Sequence, residues 1–80
     1  MENKISVVAI IVSEPDAVEG VNSALHAFRD YVIGRLGIPH KEKSLSVISV
    51  VLDAPLNVVN SLSGKLGMIK GVSSKVLTAK

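Results

Sequence analysis

The chain has 80 residues, a formal net charge of +2, no cysteine, and Phe28 and Tyr31 as its aromatic residues. Disulfides and thiolate-based zinc or redox sites are therefore excluded, and the nine basic residues, scattered from Lys4 to Lys80, lack the clustered footprint of a nucleic-acid binder. So short a chain buries only about 60% of the surface its unfolded form exposes, and a core built of Val, Ile and Leu needs reinforcement.

Lys4 to Val12 is rich in Ile and Val and reads as a strand, with Ile5, Val7, Ala9 and Ile11 on one face and Ser6, Val8, Ile10 and Val12 on the other. The acidic "SEPD" that follows does not offer the small residues of a signal-peptide cleavage site, and no apolar run approaches the roughly 20 residues of a membrane span. A cytoplasmic address without membrane contact is the expectation. Ser13 is placed to cap a helix with Pro15 in its first turn, running to about Arg29. Val18, Val21, Leu25 and Phe28 form its apolar stripe, while Glu19, Asn22, His26 and Arg29 point to solvent.

Tyr31 to Leu36 is extended, and Gly37, Pro39 and "HKEK" predict a reversal. Ser44 to Leu52 is a second strand apolar on both faces, and Asp53 is placed to cap a second helix with Pro55 in its first turn. Val59, Leu62 and Leu66 form the buried stripe of that helix, Gly67 ends it, and Gly64 inside it implies close packing. After Gly71, Val72 and Val76 alternate with Ser73 and Lys75, as in an edge strand guarded by a lysine.

The order βαββαβ points to one α+β domain over residues 1–80, a ferredoxin-like sandwich with the first and third strands at the centre of a four-stranded antiparallel sheet and both helices on one face. The other face is then left open. Val8, Ile10, Val12, Ile48, Val50 and Leu52 are assigned to it, and six such side chains are too apolar for the surface of a typical monomer. The expectation is a homo-oligomer, a dimer or tetramer, made either for stability alone or to create a ligand site at the interface.

"YVIGRLGIPHKEKSLSVISVVLD" followed by "SLSGKLGMIKGVSSK" resembles the putative iron-only hydrogenase system regulator family over nearly the whole chain, most specifically in Gly34 to Pro39, in Gly64 to Gly67 and in Gly71-Val72. The resemblance implies an ACT-like domain, similar to the C-terminal domain of the nickel-responsive repressor, and a transcriptional regulator linked to the iron-only hydrogenase system. The chain departs from the family where His40 stands in place of a tyrosine after Ile38-Pro39. No helix-turn-helix or ribbon-helix-helix segment is legible, so direct nucleic-acid binding is not expected.

His40, with Glu42, His26 and Asp53, supplies groups that suit a divalent metal such as iron or nickel, but no two histidines lie three or four residues apart. His40 is the metal candidate; a solvated turn histidine is the plain alternative. "SGKLG" lacks the first glycine and the Ser or Thr of a P-loop, the central strands lack the stacking aromatics of an RNA-recognition module, and "SEPD" stands where an acylphosphatase-like enzyme would need its phosphate loop. No nucleophile, base and orienting acid fall in register, so an enzyme is not expected. Small-ligand binding is assigned to Gly34, Arg35, Gly37, Ile38, Pro39 and His40, where ACT-like domains hold effectors with backbone N–H groups and an arginine. Two readings stay open: a non-enzymatic oligomeric regulatory module sensing a small molecule or metal, and a ligand-free assembly protein in hydrogenase maturation.

Overall fold

A computed structural model describes residues 2–80. Strand β1 (Asn3–Val12) leads through a short 3-10 turn to α1 (Val18–Ala27); β2 (Val32–His40) and β3 (Leu45–Pro55) form a hairpin; and α2 (Leu56–Gly67) precedes β4 (Val72–Thr78). Every pairing is antiparallel and the strand order is β2-β3-β1-β4, so β1 and β3 are central in a βαββαβ ferredoxin-like fold.

The register decides which face the helices cover. Val8 pairs with Val50 on one side and Val76 on the other, and Ile10 pairs with Ile48, so these side chains share one face. That face meets the helix stripes, Val21 and Leu25 of α1 and Val59, Leu62 and Leu66 of α2, all buried. Each such aliphatic side chain stabilises the fold by about 1.5–3 kcal/mol when fully buried. Ser6 is the one buried polar residue among those described; its hydroxyl shares a 2.8 Å hydrogen bond with that of its cross-strand partner Thr78.

Val8, Ile10, Val12, Ile48, Val50 and Leu52 therefore form the core beneath the helices and cannot be an oligomer face. The open face belongs to the alternate set: Ile5, Val7, Ala9 and Ile11 on β1, Val47 and Val51 on β3, and Leu77 on β4. Both central strands are apolar on both sides, so alternation within them does not choose. The polar-out pattern of β4 does, once the register is known, because Lys75 lies opposite Ala9 and Leu77 opposite Val7.

The element boundaries also differ from expectation. Ser13 caps no helix: its backbone N–H and hydroxyl both donate to the Gly71 carbonyl, at 2.8 and 3.1 Å, tying the end of β1 to the start of β4. Asp53 stays in β3, because Ala54 precedes a proline and is held extended, and Ala54 and Pro55 still pair with Lys4 and Asn3. At Gly64 an added Cβ would meet nothing within 4 Å, so its glycine reflects no close packing.

The largest difference is at Gly37 to His40, which continues the strand rather than reversing the chain. An edge strand tolerates Pro39, whose missing N–H can face solvent, and the register shift between Val32 and Gly34 marks a bulge of the kind glycine favours. The reversal comes later, at Lys41–Lys43, closed by Ser44 in the left-handed region at φ 55°.

Candidate functional site

A groove of about 930 Å³ runs between α1 and the β2 edge of the sheet. Its wall is the outer side of α1, where Glu19, Asn22, Ser23 and His26 recur at helical spacing, with Arg29 just beyond the helix. Val18, Leu25, Val32 and Val50 give it an apolar floor, and Arg35 of β2 closes the far side. Arg35 lies there because it pairs with Val50, which faces the helices. Its guanidinium donates to Asn22 Oδ1 across the groove, and the Arg29 guanidinium donates to the His26 carbonyl at 3.0 Å.

Of the residues assigned to a ligand site from the sequence, Arg35 alone lines this groove. Gly34 pairs with Val51, Leu36 with Ser49 and Ile38 with Val47, which places them on the open side of the sheet, and an added Cβ at Gly34 or Gly37 would meet nothing. Pro39 and His40 are exposed at the far end of β2. His26 lines the groove, whereas His40, Glu42 and Asp53 do not, and among the described residues no three His, Asp or Glu side chains are gathered to hold a metal. His40 is therefore without gathered co-ligands among the described residues of one chain.

The wall residues Glu19, Asn22, His26 and Arg29 were legible as the polar side of α1, but their use was not. The groove exists because β2 projects as an edge strand beside that helix, which local patterning does not show. A second feature lies outside it: the Lys65 ammonium sits 5.6 Å from the Phe28 ring centroid, a cation–π contact joining α2 to the end of α1.

The model of a family described as "TM1266-like: Iron-only hydrogenase system regulator, putative" matches residues 4–76. The chain belongs to this family. Among solved structures, that of uncharacterized protein TM1266 from Thermotoga maritima is 34% identical, covers 99% of this chain and 100% of its own, and superposes with a TM-score of 0.94. A formyltetrahydrofolate deformylase from Pseudomonas putida KT2440 shares the fold alone, at 16% identity and a TM-score of 0.61, over 92% of this chain and 28% of that one. The comparison with curated proteins found no match. The TM1266-like family is named as one of regulators, and no helix among the described residues of this member is long and apolar enough to cross a membrane.

Proposed function

We propose that this TM1266-like protein is a regulatory module with no reaction of its own, working as a homo-oligomer assembled through the open face of its sheet. The observation that carries the reading is the chemistry of that face. Ile5, Ile11, Val47 and Leu77 stand out from the central and β4 strands, and Leu36 and Ile38 extend the surface onto β2. Four strands at about 4.8 Å spacing and some seven residues at about 3.3 Å each outline a sheet face of roughly 450 Å², a size at which the largest apolar patch of a monomer is often a functional surface.

A second copy is the occupant this face suits. Besides His40 at the end of β2, it carries one lysine and one aspartate, Lys75 and Asp53, at separate positions on β4 and β3, so a twofold-related copy can set each against its opposite while the aliphatic side chains meet between them. Regulation of the iron-only hydrogenase system would follow from a change in this assembly, passed to a partner that binds DNA.

The test is solution mass by light scattering at micromolar concentration. The parent chain is expected at two or more times its monomer mass, and Leu77→Lys and Ile11→Lys are expected to shift it to the monomer while far-ultraviolet circular dichroism stays native. A parent chain of monomer mass overturns the reading.

A further inference from the structure

We infer that the groove between α1 and β2 binds a small amphipathic carboxylate, and that its occupancy shifts the assembly equilibrium through β2; the second clause rests on the oligomeric reading above. At about 930 Å³ the groove is within the usual range for small-ligand sites. Its floor of Val18, Leu25, Val32 and Val50 accepts an apolar body, and its rim supplies the charge.

The rim holds two guanidiniums, Arg29 and Arg35, against the one carboxylate of Glu19, with His26 of α1 in the same lining. The acceptors each guanidinium meets are neutral, the His26 carbonyl and the Asn22 amide oxygen. A guanidinium has five N–H donors in a planar fork, so both keep donors for an anion, and a carboxylate matches that fork. Glu19 on the same rim disfavours a doubly charged phosphate, whereas a single negative charge is balanced by the groove's excess of one positive charge over Glu19.

The link to assembly is the alternation of β2. Arg35 pairs with Val50 on the helix side, and its neighbour Leu36 pairs with Ser49 on the open side. A ligand that fixes Arg35 therefore fixes the strand that presents Leu36 and Ile38 to the second copy. A ligand that binds assembled and separate chains unequally must shift the balance between them.

The experiment is an NMR titration of the full chain with octanoate below its micelle concentration, with octanol, acetate and inorganic phosphate as separate arms. Saturable shifts centred on Asn22, His26, Val32 and Arg35 are expected with octanoate, with acetate, octanol and phosphate each much weaker. Arg35→Gln is expected to weaken octanoate binding about tenfold, as loss of a charge-assisted hydrogen bond does, with Arg35→Lys intermediate. Equal binding of octanol, tighter binding of phosphate, or undiminished octanoate binding in Arg35→Gln overturns the ligand class. Octanoate is further expected to change the association constant by about fivefold or more, and an unchanged constant at saturation overturns the coupling. A monomeric parent that still binds octanoate sinks the oligomeric reading and the coupling while leaving the ligand assignment; an oligomer that ignores octanoate sinks the ligand assignment alone.

Discussion

Gly71 is where the backbone itself requires glycine. It sits at φ +84°, its carbonyl takes both donors of Ser13, and a Cβ there would press into the side chain of Glu14. Gly71→Ala is expected to cost about 1–3 kcal/mol, from the left-handed conformation together with the crowding. Gly20 is the contrasting case, since its added Cβ would lie 3.6 Å from Ile69 Cδ1, an ordinary contact, within α1. Gly20→Ala is expected to gain about 0.5–1 kcal/mol from helix propensity. Urea unfolding of both variants checks the pair: the midpoint should fall for the first and rise for the second, with the slope unchanged.

Strand β2 is the element whose identity changes the meaning of the molecule. With a reversal from Gly37, the segment ending at His40 is a loop offering backbone donors to a ligand; as an unbroken edge strand it is a wall, with Arg35 turned to the groove and Leu36 and Ile38 turned to the open face. Gly37 separates the two views. It pairs with Ile48, and a Cβ there would meet nothing, so a β-branched residue has room in a strand that glycine weakens. Gly37→Val is expected to stabilise by up to about 1 kcal/mol, a rise of several degrees in Tm for a chain of this size. A fall of that size would favour a reversal at Gly37 over the strand.

For the molecule as a whole, the exposed surface is larger than one chain of this mass should show. It measures 5323 Å², against about 4,600 Å² expected for a folded monomer of 8.4 kDa. The shape agrees, with principal extents of 41 × 19 × 18 Å rather than those of a sphere. If a second copy covers part of that surface, association and folding are linked, and Tm depends on concentration. Calorimetry across about a hundredfold concentration range is expected to show Tm rising in the parent and flat in Leu77→Lys.

Much of this is legible in the sequence alone. The β-branched runs at Ile5–Val12 and Leu45–Leu52, the stripes Val21-Leu25 and Val59-Leu62-Leu66, and the alternation around Lys75 are local patterns, and local periodicity is enough to name strands, helices and their order. Two matters lay beyond it. Which side of β1 and β3 is core depends on pairing with β4, whose Val76 lies 68 positions along the chain from its partner Val8, and a strand apolar on both faces carries no local mark of its inner one. The groove likewise joins Asn22 to Arg35 across two elements, so its arginine could be guessed from its type while its partners on α1 could not, because contact between them is made by packing and not by sequence neighbourhood.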